Sequence, residues 1–320
     1  MTDARREVVW VEGLVKDFRP GLGLRRKRVL DGISFRVHEN EIFGFVGPNG
    51  AGKTTALKIL MGLIHRTAGR ARILGHDVGE TEFRRHVGFL PENPYFYDHL
   101  TGREILRFYA RLSGLSGRRI GERVDMLLDW VGLSHAADAR LRTYSKGMLQ
   151  RVGIAQALVH DPAVVFLDEP MSGLDPIGRK EVRDLILRLH DEGKTVFMNT
   201  HILSDVELIC DRVAIIVKGA IRYEGRIEKF LAEGELETDL VLARVPPALA
   251  AALEQRFGPL RGKGEHVEVQ VPAKQGNEVL QQALAAGAEV VAVSPHRASL
   301  ESIFLSAVQS AAARPGEGRR

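Results

Sequence analysis

The sequence predicts an α/β fold: a mostly parallel sheet with covering helices, followed by a small α+β unit. Three observations predict it. Short apolar strands alternate with amphipathic helices along most of the chain. One of those strands, Glu41 to Val46, runs into Gly47-Pro48-Asn49-Gly50-Ala51-Gly52-Lys53-Thr54 and on into a helix from Thr54 to Gly62. Another, Val164 to Leu167, is wholly apolar and ends in Asp168-Glu169, as suits the middle of a parallel sheet.

The elements follow in order. Val8 to Val15 alternates loosely and reads as a strand. The segment Arg19-Pro20-Gly21-Leu22-Gly23 then leads to the basic cluster Arg25-Arg26-Lys27-Arg28. That cluster reads as a solvated loop, with lipid headgroups or nucleic acid as the other possible contacts. Ile33 to Val37, Ala71 to Leu74 and Val87 to Leu90 are further strands. From about Tyr97 to Leu158 the pattern turns helical: Arg103 to Leu112 and Ile120 to Val131 carry apolar residues three and four apart, the spacing of one helix face. Residues from about 91 to 158 therefore read as a helical insert. Glu181 to Leu189 is an amphipathic helix, and Thr195 to Asn199 and Val213 to Val217 are buried strands. Past about Gly234 the character changes. Leu240 to Val245, His266 to Val271 and Glu289 to Val293 read as strands, separated by helices from Pro246-Pro247 to Phe257 and from Gly276 to Ala286. A last helix spans Leu300 to Val308. The expected domains are residues 1–234, residues 235–310 as an accessory domain without a catalytic constellation, and a disordered tail over residues 311–320.

Composition narrows the classes. Apolar residues at 44% and charged residues at 27% are those of an ordinary soluble protein. The formal charge of +4, from 45 basic and 41 acidic side chains, does not suit wholesale coating of nucleic acid. The single cysteine, Cys210, excludes an internal disulfide framework, suits a reducing cytosol, and lies in an apolar stretch that favours a small buried side chain. Met1 to Arg6 is not followed by the apolar core of a signal peptide. No run approaches the roughly 18 apolar residues that span a bilayer. Any service to a membrane would pass through a partner.

The octapeptide from Gly47 to Thr54 fits G-x-x-x-x-G-K-[ST]. Glycines let backbone N–H groups wrap an anion without Cβ obstruction. Lys53 would reach the β- and γ-phosphates and the Thr54 hydroxyl would ligate Mg²⁺, with the helix N-terminus adding its partial positive charge. Asp168 and Glu169 fall at the carboxyl edge of a central strand, where ligands bind in open parallel sheets. Asp168 would hold Mg²⁺ and Glu169 would polarise the attacking water. Ser145 and Gly147, within Tyr144 to Arg151, open a helix and form an anion site. Ser172-Gly173-Leu174-Asp175 lies downstream, and His201, directly after a buried strand, can bond a γ-phosphate or orient water.

In this order the motifs spell a family. From about Val8 to Gly225 the chain resembles the ATPase subunit of ATP-binding cassette (ABC) transporters: a phosphate-loop NTPase core with a helical subdomain. The resemblance implies that ATP is held by Gly47, Pro48, Asn49, Gly50, Ala51, Gly52, Lys53, Thr54 and Thr55, with Phe18 stacked on adenine. It implies that Thr54, Glu92 and Asp168 serve Mg²⁺, and that Lys53, Glu169 and His201 serve hydrolysis. It also implies a head-to-tail dimer, a homodimer or a pair with a paralogous cassette, in which Ser145, Gly147 and Asp175 of one subunit close the ATP site of the other. Three positions depart from the usual pattern: Lys146 replaces Gly, Met148 replaces Gln, and Glu92 replaces Gln. These variants, and the ending Ser299 to Leu305, resemble cassettes of type-2 exporters, whose membrane part is a separate polytopic permease chain. Such a subunit would sit peripherally at the cytoplasmic face of the cell membrane, and Asn93 to Tyr109, rich in aromatics, would either receive that permease or pack within the insert. A soluble ABC protein acting on ribosomes or nucleic acid is the alternative. It is disfavoured by the presence of a single cassette and the lack of sustained heptads.

Overall fold

The computed structural model describes residues 5–19, 26–229, 237–263 and 266–296, together with Leu300 and Phe304. The expected tail over residues 311–320, residues Pro20 to Arg25, and most of the expected last helix and of Ser299 to Leu305 lie outside the described residues. The chain forms two compact units, one within residues 1–226 and the other within 227–306.

The first unit carries two sheets. β1 (Glu7–Phe18), β2 (Lys27–His38), β4 (Ala68–Ile73) and β5 (His76–Asp77) pair antiparallel in the order β2-β1-β4-β5. The second sheet comprises β3 (Ile42–Val46), β6 (Val87–Leu90), β7 (Val164–Asp168), β8 (Thr195–Thr200), β9 (Arg212–Val217) and β10 (Ala220–Arg226). Its order is β10-β9-β3-β8-β7-β6, parallel except for the edge strand β10. Every residue of β3, β7 and β8 is buried, which is why β3 and β7 read as near-continuous apolar runs. An aromatic cluster joins the two sheets. Phe35 on β2 meets Phe43, Phe45 and Phe197 with ring centroids 5.3–6.0 Å apart, and Phe166 meets Phe197 at 5.2 Å. Each ring so buried contributes roughly 2–3 kcal/mol relative to exposure.

At the amino end of β3 the two sheets are also joined by ions. Glu41 is fully buried; it accepts from the His38 backbone at 2.8 Å and from Arg212 at 3.1 Å. Arg212 also reaches Glu224 at 2.9 Å on β10. A buried carboxylate is tolerated only when its oxygens are satisfied in this way.

The helices are α1 (Lys53–Leu60), α2 (Gly102–Leu112), α3 (Arg118–Trp130), α4 (Lys146–Ala157), α5 (Pro176–Asp191) and α6 (Leu203–Ile209). Thr101 starts α2 with a reciprocal capping box to Glu104, satisfying two otherwise orphaned N–H groups. In the second unit, β11 (Glu237–Ala243), β12 (Arg261–Lys263), β13 (His266–Pro272) and β14 (Glu289–His296) form an antiparallel sheet ordered β12-β13-β11-β14. α7 (Pro247–Phe257) and α8 (Ala273–Ala285) contribute Leu253, Val279 and Ala283 to a core with Leu240, Leu242, Val269 and Val271.

The structure corrects several expectations. The chain has a separate antiparallel sheet beside the mostly parallel one. Lys27 and Arg28 begin β2 instead of lying in a loop; Arg28 bonds Asp17 at 3.0 Å and Asp31 at 2.9 Å, which lets a charged run join the edge of a sheet. α1 starts at Lys53. α6, β5, β10 and β12 were not expected.

Candidate functional site

β3 delivers the chain to Gly47, and a side chain there would meet the Ile216 carbonyl at 2.3 Å. The backbone can therefore turn only without a Cβ. Gly50 and Gly52 hold φ of 79° and 111°, and α1 begins at the next residue. Lys53 is almost fully buried; its ammonium donates to the Gly47 carbonyl at 2.7 Å and lies 3.5 Å from Glu169 Oε1. The lysine is thus held across the mouth of its own loop.

Asp168 closes β7 and is 3% exposed. Its Oδ1 accepts from Asn199 Nδ2 at 2.6 Å. Burial, reinforced by the charges of Glu169 and Glu92, pushes its carboxyl up to about 6 against the opposing pull of Asn199 and Lys53. Glu169 sits at φ 49°, a left-handed conformation that costs a non-glycine residue about 1–2 kcal/mol. Its N–H donates to the Asn199 carbonyl at 2.8 Å, which fixes that turn. Glu169 Oε2 lies 2.8 Å from His201 Nδ1, and the His201 side chain is 43% exposed. The pair gives a carboxylate buried at the base of a cleft with an imidazole at its rim.

Lys53, Glu169 and His201 line one cavity of about 580 Å³ together with Thr54, Thr55 and Glu92. Pro48, Asn49, Gly50 and Gly52 line it too, whereas Gly47, Ala51 and Asp168 do not reach its surface. Phe18 lies at its Lys27 side: Phe18 pairs with Lys27 in the β1–β2 ladder, and Lys27 lines the cavity. The Phe18 ring is 39% exposed, with the Lys16 ammonium 4.8 Å from its centroid. Ser145, Gly147 and Asp175 are not among the lining residues. They line a second cavity of about 240 Å³ together with Lys146 and Gly173. Ser145 caps α4 by accepting from the Met148 N–H at 3.2 Å, and Asp175 caps α5 by accepting from the Gly178 N–H at 2.7 Å.

The donors fit Mg²⁺ in character. Thr54, Glu92 and Asp168 offer hard oxygens, and such a cation is ordinarily bound by one or two carboxylates plus substrate phosphates. Among the described residues no group of three His, Cys, Asp or Glu side chains is placed to hold a metal ion. Sequence reasoning missed Asn199, Lys218, Lys27 and Arg28 at this site, whereas Ser172, which also lines it, stood in the motif downstream of Glu169. A lone Asn inside an apolar strand was the available signal for the first. Cys210 is buried as expected, and burial pushes its thiol well up.

Fold and site together define a class: an α/β nucleoside triphosphatase built on a glycine-rich phosphate loop. The comparisons carry this further. A family model described as ABC transporter matches residues 30–172. The chain is 36% identical over 308 residues to the ABC transporter ATP-binding protein YxlF of Bacillus subtilis, covering 94% of this chain and 99% of that one. It is 49% identical over 223 residues to the ABC transporter ATP-binding protein sll0415 of Synechocystis, covering 69% of this chain and 63% of the relative. The daunorubicin resistance ATP-binding protein DrrA3 of Streptomyces coeruleorubidus is 35% identical, with 87% and 90% covered. Among solved structures, CbiO1 from Clostridium perfringens, part of the transporter complex CbiONQ, superposes with a TM-score of 0.65 at 28% identity, over 71% of this chain and 92% of that one. A dimeric ATP-binding cassette in a post-hydrolysis state with ADP and phosphate gives a TM-score of 0.62 at 25% identity, over 68% and 98%. The chain belongs to the ATP-binding proteins of ABC transporters, a family of ATPases. The alternative of a factor acting on ribosomes or nucleic acid has no support in these relatives. Among the described residues no helix is long and apolar enough to cross a membrane.

Proposed function

We propose that this chain binds ATP with Mg²⁺, pairs head-to-tail with a second cassette, and powers a separate polytopic permease that works as an exporter. One observation carries the pairing. Lys53, Glu169 and His201 line one cavity, whereas Ser145, Gly147 and Asp175 line another. Each subunit then holds two unlike halves of a site, and two copies facing each other make two whole ones. Glu169, held by Lys53 and His201, is the group to accept a proton from the attacking water. Thr54, Asp168 and Glu92 would hold Mg²⁺, whose charge would offset that of the phosphates. Phe18 offers a face for adenine.

The export direction rests on Lys146, Met148 and Glu92 and on the likeness to the daunorubicin resistance protein. The same likeness supports a peripheral subunit at the cytoplasmic face, docked on its permease. Tyr95, Tyr97 and Phe108, 92%, 56% and 41% exposed, supply aromatic anchors for that docking. Residues 1–234 would form the ATPase domain and 235–310 an accessory domain. The test is the mass in solution of the Glu169→Gln variant with and without ATP. An ATP-dependent dimer supports the reading, and a monomer at saturating ATP overturns it.

A further inference from the structure

Besides the residues used above, the cavity is lined by Lys27, Arg28 and Lys218. We propose that Lys218 is a nucleotide-binding residue that acts on the sugar-proximal α-phosphate; this rests on the nucleotide-site reading above. β9 and β10 are joined by the two-residue turn Lys218-Gly219, with Val217 paired to Ala220. Both turn residues have positive φ, 49° and 79°. A turn of this kind favours Asn or Gly at its first position, so the turn itself gives no reason for a lysine. A side chain kept at a disfavoured backbone geometry beside a cavity points to a use for that side chain.

The turn is anchored on two sides. The Gly219 N–H donates to the Ala51 carbonyl of the phosphate loop at 2.9 Å, and the Gly219 carbonyl accepts from the Asp31 N–H at 2.8 Å. A Cβ on Gly219 would meet the Val29 carbonyl at 2.4 Å, and one on Gly52 would meet the same carbonyl at 3.0 Å. Lys218 therefore emerges where the phosphate loop and β2 come together.

β2 gives the order along the wall. Lys27 is paired with Phe18, and Val29 follows two residues later, about 6–7 Å along the strand at 3.3 Å per residue. A base stacked on Phe18 and terminal phosphates held by Lys53 would leave the sugar and α-phosphate between them, beside Val29 and the turn. Lys218 is exposed, so its contribution is a screened one.

The discriminating variant is Lys218→Asn, which removes the charge and places a better-suited residue in the turn. Isothermal titration with ADP and with a non-hydrolysable ATP analogue, at one ionic strength, reads the effect. Both Kd values should rise by the same factor, roughly two- to fivefold, because both ligands share the α-phosphate. The melting temperature should be unchanged or higher, and Lys218→Arg should restore affinity. Unchanged Kd values for both ligands overturn the proposal, as does a loss confined to the ATP analogue. Wild-type protein measured alongside separates the two levels. If it binds neither nucleotide, the site reading falls and this proposal with it; if it binds both and Lys218→Asn binds them equally well, only the role of Lys218 falls.

Discussion

Replacing Asp168 by Asn should make the nucleotide-free protein more stable while ending hydrolysis. Asp168 is 3% exposed and its carboxyl is pushed from an ordinary 3.8 to about 6, chiefly by burial. At 1.36 kcal/mol per pKa unit, keeping it ionised in the folded state costs about 3 kcal/mol above pH 7. The amide removes that cost and keeps an oxygen to accept from Asn199 Nδ2. Relaxation in the native protein offsets part of the gain, so about 2 kcal/mol is expected, a rise in melting temperature of roughly 4–8 °C. The pH dependence carries the sign. A carboxylate whose folded pKa is raised takes up its proton more readily when folded, so the wild type gains on the variant as pH falls through about 6 towards 3.8. The advantage of Asp168→Asn is then full at pH 8 and fades towards pH 4. Differential scanning calorimetry without nucleotide over that range is the assay. An advantage that does not change with pH, or a less stable variant at pH 8, refutes the assignment of strain to this buried charge.

Three further outcomes follow from the same geometry. Gly47→Ala places a Cβ 2.3 Å from the Ile216 carbonyl; chemical denaturation should show a loss of about 1–3 kcal/mol, with ATP binding weakened in parallel. Glu169→Gln should lower turnover by about a hundredfold or more while calorimetry finds ATP binding retained. Tyr144→Phe removes a buried hydroxyl that donates to the Ala136 carbonyl at 2.6 Å, so urea unfolding should report a loss of about 1–2 kcal/mol, with nucleotide affinity at the Lys53 cavity unchanged.

The parts legible in the sequence are those whose reasons are local. β3, β7 and β8 are buried along their whole length, and each announces itself by a short apolar run, Ile42 to Val46, Val164 to Leu167 and Val196 to Met198. The phosphate loop is legible because close backbone approach demands glycine at Gly47 and positive φ at Gly50 and Gly52. What escaped is set by tertiary contact. β10 is a half-exposed edge strand with Arg222, Glu224 and Arg226 in it, and its pairing depends on β9 more than on its own pattern. α6 has only seven residues, too few for a helical period to show. Lys27 and Arg28 look like loop residues until Asp17 and Asp31 stand beside them. Within the site, Lys53, Asp168, Glu169 and His201 were visible through their motifs, but Asn199, Lys27, Arg28 and Lys218 join it only through what the fold brings together. The division of the site residues between two cavities is equally invisible to spacing, and only the family resemblance anticipated it.

On the proposed function each ATP is held by the phosphate loop of one subunit and the Ser145 loop of another. Mixing two inactive variants tests it most directly: Lys53→Ala, which empties the first half, and Ser145→Arg, which blocks the second. In either homodimer both sites are defective. In a mixed dimer one site combines Lys53 from one subunit with Ser145 from the other and is whole. ATPase activity that appears on mixing, and grows with the fraction of mixed dimer, is the predicted result. A mixture that forms mixed dimers yet stays as inactive as its components would contradict the account.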